Sequence, residues 1–205
     1  MLKELTHYVG GQHIKGESGR VLEVFNPATG EVTSKVPMAG AEEVEKTIEN
    51  AQVAFYDWAA TPSPKRAAVM FAMREIMSQR REELATVISA EHGKTVDDAL
   101  GEVQRGIDVI EFACGIPHLL KGELSTDVGG GIDTFSIREP LGVVGGITPF
   151  NFPVMVPCWM GVMAVACGNS FICKPSERNP SAPLMMGELW TEAGLPDGVW
   201  NILNG

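Results

Sequence analysis

Between Gly142 and Leu203 three short apolar runs alternate with two segments of helical length, and this alternation restricts the possible folds more than any other feature of the chain. Gly142 to Thr148 is apolar and Gly-rich, short enough for a buried strand, and closed by Pro149. Val154 to Cys167 is apolar over a helix's length and stops at Gly168-Asn169. Ser170 to Lys174 reads as a second strand halted by Pro175, and Ser181 to Ala193 as a second helix ending at Gly194 with Pro196 beyond. Val199 to Leu203 is a third strand. Strands that read as unbroken apolar runs are covered on both faces, and helical crossovers make them parallel. The expectation is an α/β fold with a doubly wound, mostly parallel sheet. Ligands of such sheets sit beyond the carboxyl ends of the strands, which here are Thr148 to Phe152 and Lys174 to Arg178.

Both ends carry usable chemistry. A carboxylate just after the second strand can accept hydrogen bonds from ribose hydroxyls and repels a 2′-phosphate, so Glu177 favours NAD over NADP. Lys174 can donate to the same sugar or to a phosphate oxygen, although a solvated surface pair satisfies the same Lys-x-x-Glu spacing. The fingerprint G-x-G-x-x-G is absent after the first strand, which tells against an ordinary dinucleotide phosphate loop. Asn151 lies between Phe150 and Phe152 and before Pro153. Its amide is suited to stabilise an oxyanion formed during attack on a carbonyl, or to cap a turn.

Ahead of this sheet, Tyr8-Val9, Val21 to Phe25 and Glu31 to Val36 read as short strands, the last two joined by the turn Asn26-Pro27-Ala28-Thr29-Gly30. Helices follow. Val44, Ile48, Ala51, Phe55 and Trp58 mark the first; Ser63 as N-cap and Pro64 open the second, with Val69, Met73 and Ile76 on one face; Glu82 to Glu91 forms the third, closed at Gly93. From Thr95 to Cys114 a fourth helix places Val96, Leu100, Val103, Ile107 and Ile110 along one stripe. At about 100° per residue Arg105 projects about 180° from that stripe, toward solvent. Leu119 to Ser125 and Ile132 to Arg138 flank Asp127-Val128-Gly129-Gly130-Gly131 as a hairpin, which alone is marginal in water and should find a sheet elsewhere.

Charge narrows the partners. Sixteen Lys plus Arg against 26 Asp plus Glu give a net charge of −10, which argues against nucleic acid or an anionic membrane. No run reaches the roughly 20 apolar residues of a spanning helix. The start MLKELTHYVGGQHI has neither a signal peptide's apolar core nor an Arg-rich transit segment, so a cytoplasmic location is expected. Cys114, Cys158, Cys167 and Cys173 fall in or beside apolar runs and read as small buried hydrophobes. The four histidines are too scattered to suggest a metal site.

The segment ITPFNFPVMVPCWMGVMAVACGNSFICKPSERNP resembles the coenzyme-binding core of the aldehyde dehydrogenase superfamily. The resemblance extends over essentially all 205 residues, as the amino-terminal portion of an enzyme more than twice as long. EFACGIPHLLKGE at Glu111 to Glu123, together with PFNFP and KPSER, resembles the methylmalonate-semialdehyde dehydrogenases, the CoA-acylating members. The resemblance implies NAD as cofactor, CoA as co-substrate, a small semialdehyde substrate and a homo-oligomer, a tetramer for the complete enzyme. It implies that Asn151 stabilises the oxyanion, that Lys174 and Glu177 contact the adenosine ribose, and that Thr148 and Phe150 line the cofactor groove, Thr148 through its backbone. Arg178 follows Glu177 as in the subfamily. Arg105, within E-V-x-R-G, is implied as the cation for the substrate carboxylate, against its solvent-facing periodicity. Phe152 and Trp159 fall where the superfamily lines its aldehyde tunnel, with plain core as the alternative.

On this reading residues 1–118 and 140–205 form an incomplete coenzyme-binding domain and 119–139 an oligomerisation hairpin. The family's nucleophilic cysteine and general-base glutamate are expected beyond residue 205, with the catalytic domain. Turnover is therefore not expected of these residues alone. Two alternatives stand beside the acylating reading: a hydrolytic aldehyde dehydrogenase, and a non-catalytic cofactor-binding or assembly fragment.

Overall fold

A computed structural model describes residues 2–205. The amino-terminal strands are short: β1 (Lys3–Glu4), β2 (His7–Val9), β3 (Gln12–Ile14), β4 (Val21–Phe25) and β5 (Val32–Pro37). Strands β2 and β3 turn at Gly10-Gly11, whose φ values of 61° and 74° suit glycine. β4 and β5 pair antiparallel across the predicted turn, and β1 joins β5 in parallel to complete a small sheet. Helices α1 (Ala41–Ala60), α2 (Ser63–Gln79), α3 (Arg81–His92), α4 (Val96–Ala113) and the short α5 (Ile116–Leu119) follow.

The main sheet is then assembled from β8 (Val143–Ile147), β9 (Ser170–Lys174) and β10 (Trp200–Ile202), paired in parallel. Its order is β3-β2-β10-β9-β8, so the amino-terminal hairpin adds two antiparallel strands beside β10. On one face Phe171 and Trp200 meet the crossover between β8 and β9 and helix α8 (Ser181–Glu192). Contact is close because glycines stand at it. A Cβ on Gly161 would lie 2.5 Å from both the Phe171 and Trp200 rings, and one on Gly187 would lie 2.6 Å from Tyr8. Trp200 packs between Phe171 and Trp190, with ring centroids 4.9 Å and 5.2 Å away. On the other face Val9, Ile172 and Leu203 gather with Ala39, where α1 covers the strands.

Several local expectations change. The apolar run from Val154 to Cys167 is three pieces, α6 (Met155–Pro157), a π-helical turn (Cys158–Val162) and α7 (Met163–Ala166). The buried face of α1 is Glu43, Thr47, Ala51 and Trp58, while Val44 and Ile48 are exposed. Glu43 turns inward because its carboxylate accepts from the Gly40 and Glu17 amides. Ser63 lies inside the first turn of α2, whose N-cap is Pro62, and the core of that helix is Met70, Met73 and Met77. On α4 Val96 is exposed and Glu102 is buried among Ala99, Val103 and Gly106. Cys158 and Cys173 are buried, but Cys114 and Cys167 are only half-buried. Hairpin β6 (Leu124–Gly129) and β7 (Ile132–Phe135) is shorter than predicted at its base and exposed along both strands.

His7 ties the start of the chain to the end of the sheet. Its Nδ1 accepts from the Asn204 amide at 3.1 Å, its Nε2 lies 3.3 Å from Glu43, and it is 2% exposed. Burial lowers the imidazole's pKa below its ordinary 6.5 and outweighs the opposing Glu43 charge. The unfolded chain therefore binds this proton more readily, so the associated stability is present above pH 6.5 and is lost as pH falls below it. Denaturant unfolding at pH 7.5 and 5.5 should show a lower midpoint at about pH 5.5. His7→Asn, which keeps an acceptor for Asn204 but does not titrate, should reduce that difference.

Candidate active site

Parallel pairing aligns the two strand ends identified from the sequence. Ile147 stands opposite Lys174, and the Thr148 amide donates to the Lys174 carbonyl at 3.0 Å, extending the ladder by one bond. Beyond it the backbone is irregular from Pro149 to Val154, and its polar groups need partners from elsewhere. The Asn179 side-chain amide donates to the Phe150 carbonyl at 2.6 Å, and Lys94 Nζ donates to the Asn151 carbonyl at 3.0 Å. One Glu102 oxygen accepts from the amides of Val154 and Met155 at 2.8 and 3.3 Å, and the other pairs with Lys94 Nζ at 2.7 Å. The side chains of Lys94 and Glu102 are 6% and 0% exposed. Lys94 also sits 4.4 Å from the Phe152 ring centroid, a cation–π contact. Removing one partner of a pair buried this deeply costs about 3–5 kcal/mol.

Around this frame the predicted residues fall in two groups. Thr148, Phe150, Asn151, Lys174, Glu177 and Arg178 gather at one end of the sheet. Thr148 is buried, with its hydroxyl 3.8 Å from Cys173 Sγ, whereas Asn151 projects an exposed side chain. Lys174 Nζ lies 3.5 Å from Glu177, their side chains 30% and 38% exposed. The Arg178 guanidinium packs 4.8 Å from the Phe150 ring centroid. Phe150, Glu177 and Arg178 help to line a 730 Å³ cavity with Phe25, Lys35 and His92. Phe152 is half-buried and Trp159 exposed on the π-helical turn, against which α4 packs. Arg105 stands apart on the exposed side of α4, with no ion pair among the described residues, as periodicity predicts.

Lys94, Glu102 and Asn179 are the contributors that sequence reading missed. A signal existed for Glu102. It lies between Ala99 and Gly106 at i−3 and i+4, so a charged residue occupies the small-residue face of an amphipathic helix.

The sequence profile described as the aldehyde dehydrogenase family matches residues 13–205. The chain belongs to this family. Among aldehyde dehydrogenases of known structure it resembles the methylmalonate-semialdehyde dehydrogenase of Oceanimonas doudoroffii, with a TM-score of 0.97, 53% identity, and coverage of 100% of this chain and 42% of that one. A Sinorhizobium meliloti 1021 protein, provisionally named a methylmalonate-semialdehyde dehydrogenase and solved with NAD, gives a TM-score of 0.98 at 50% identity, with the same coverage. The malonate-semialdehyde dehydrogenase of Pseudomonas aeruginosa is 50% identical over 201 residues, which is 98% of this chain and 40% of that protein. The chain thus spans about two fifths of the length of the relatives it matches.

Among the described residues no thiol is activated. Burial raises the Cys173 thiol to about 12, and burial raises Cys158 further. Cys114 and Cys167 are also raised, again chiefly by burial. A thiolate nucleophile needs the opposite shift. Among the described residues no group of three or more His, Cys, Asp or Glu is placed to hold a metal ion, and no helix is long and apolar enough to cross a membrane. Titration of the native chain with a disulfide reagent near neutral pH should leave Cys158 and Cys173 unmodified until denaturant is added. Rapid labelling of either residue in the native state contradicts this arrangement.

Proposed function

We propose that this chain is the coenzyme-binding part of an NAD-dependent, CoA-acylating dehydrogenase of methylmalonate or malonate semialdehyde. The observation that carries the reading is the juxtaposition, on adjoining strand ends, of the exposed Asn151 amide with the partly exposed Lys174–Glu177 pair. That donor set fits a nucleotide ribose, since a carboxylate acceptor and an ammonium donor can both turn toward vicinal hydroxyls. NAD supplies the hydride acceptor when bound. Lys174 and Glu177 hold its adenosine ribose, Thr148 and Phe150 form the groove beside it, and Arg178 steadies Phe150 by packing on its ring.

Asn151 donates its amide to the oxyanion that develops as a thiolate adds to the semialdehyde carbonyl. The thiolate comes from outside these residues, because all four thiols here are buried or half-buried and shifted away from ionisation. Hydride loss from the adduct leaves a thioester; loss of CO2 and exchange of the acyl group onto the CoA thiol give propionyl-CoA or acetyl-CoA. Arg105 offers a planar guanidinium without an ion-pair partner among the described residues, suited to the substrate's carboxylate. Phe152 and Trp159 supply apolar walls for the short carbon chain. Residues 1–118 and 140–205 act as the coenzyme-binding unit, and the exposed hairpin within 119–139 serves assembly of a homo-oligomer, a tetramer, in the cytoplasm.

Two measurements test this reading. With methylmalonate semialdehyde and NAD, the full-length enzyme should form NADH in a CoA-dependent manner, while the 205 residues alone form none. Equal turnover without CoA assigns water as the acyl acceptor and makes the enzyme hydrolytic. Arg105→Ala should lower kcat/KM for the acidic semialdehyde by about 10- to 100-fold and leave propanal little changed, in line with the loss of one charged hydrogen-bonding partner. A matching loss on propanal makes Arg105 structural.

A further inference from the structure

We propose that Lys94, held by Glu102, and Asn179 are positioning residues that lock the two peptide planes on either side of Asn151. The inference rests on the oxyanion role of Asn151 proposed above. The peptide plane before Asn151 is fixed at the Phe150 carbonyl by Asn179, and the plane after it is fixed at the Asn151 carbonyl by Lys94. Peptide units are planar, so the chain around one residue has only φ and ψ to adjust. With both flanking planes held, Asn151 retains only its side-chain torsions. The Glu102 bonds to the Val154 and Met155 amides hold the loop's far end against the same helix.

The anchors are themselves rigid. Lys94 lies between the C-cap Gly93 of α3 and the N-cap Thr95 of α4, and its own carbonyl accepts from Ser89 Oγ at 2.7 Å. Asn179 is 2% exposed and stands just before α8. Gly106 lets the loop approach, since a Cβ there would lie 3.1 Å from Cys158 Sγ and 3.4 Å from Val154 Cγ1. A buried ion pair is poor value as a staple, because an apolar pair of equal volume is commonly as stable. Direction is what these charges add. The ammonium has donors for Glu102 and for the Asn151 carbonyl at once, and no hydrocarbon side chain aims a carbonyl. Oxyanion donors act through such preorganisation, and misplacement by about 1 Å can cost about 100-fold in rate.

The test is a set of mutant cycles on the full-length enzyme, read as single-turnover NADH formation. Lys94→Met/Glu102→Gln removes both charges, leaves no lone buried ion and keeps an acceptor for the Val154 amide, while releasing the Asn151 carbonyl. Its rate should fall about 10- to 100-fold with little change in KM for NAD or semialdehyde. In an Asn151→Ala background the same pair of substitutions should cost about threefold or less, because the group they orient is gone. Asn179→Leu, similar in volume and leaving both charges of the ion pair in place, carries a second cycle and decides the matter if the double variant does not fold. Equal rate losses with and without Asn151, or losses confined to KM, overturn the proposal. A near-normal rate for Asn151→Ala alone removes the oxyanion role and this inference with it. A loss of about 10²–10³ in Asn151→Ala, with normal rates in the positioning variants, refutes only the inference.

Discussion

The parallel pairing of β8 with β9 is the constraint on which the rest of this structure depends. Once Val143 lies beside Ser170 and Ile147 beside Lys174, two loops must leave the sheet at the same level and side by side. The extra bond from the Thr148 amide to the Lys174 carbonyl carries that alignment into the loops. Groups 26 residues apart in sequence, such as Thr148 and Lys174, thereby become neighbours. The pairing requires a crossover packed close to the strands. Glycines at 146 and 161 permit it, since a Cβ at either position would lie within 3.0 Å of Phe171 ring atoms.

Irregular backbone at a strand end is stable only where its polar groups are satisfied. Here the partners are Lys94, Glu102 and Asn179, drawn from three separate places in the chain. Desolvating the ion pair is costly, and its bonds to three backbone groups of one loop offset that cost. The same principle operates at the opposite end of the chain. His7 accepts from the Asn204 amide, and the Asn204 side chain donates to the Thr6 carbonyl at 2.9 Å, so the end of the last strand is tied to the first segment by one side chain from each.

Patterns with short periods were readable from the sequence. The β-α-β-α-β order, the helix stop at Gly93 and the start of the fourth helix at Thr95 are local, and the structure reproduces them to within a residue. The two strand ends that carry Asn151 and the Lys174–Glu177 pair were legible for the same reason. Burial stripes were less so. On α1 the periodicity of Val44 and Ile48 pointed one residue away from the face actually buried, because hydrogen bonds to Gly40 and Glu17 draw Glu43 inward. The π-helical turn within 158–162 gave no sign in a uniformly apolar run, where every residue reads as helix or core. β1 and β3 went unread because strands of two and three residues contain too little alternation to register.

What the sequence by itself determined was the class of fold, the family and the residue types offered at the strand ends, since these follow from local apolar runs, turn residues and motifs of a few positions. Only the tertiary structure decided how those residues are held: that Lys94 and Glu102 reach a loop some fifty residues away, and that Asn179 completes the grip. The physical reason is that the need of a buried polar group for a partner is fixed by its own chemistry, but the identity of that partner is fixed by which distant segments packing brings within hydrogen-bonding distance.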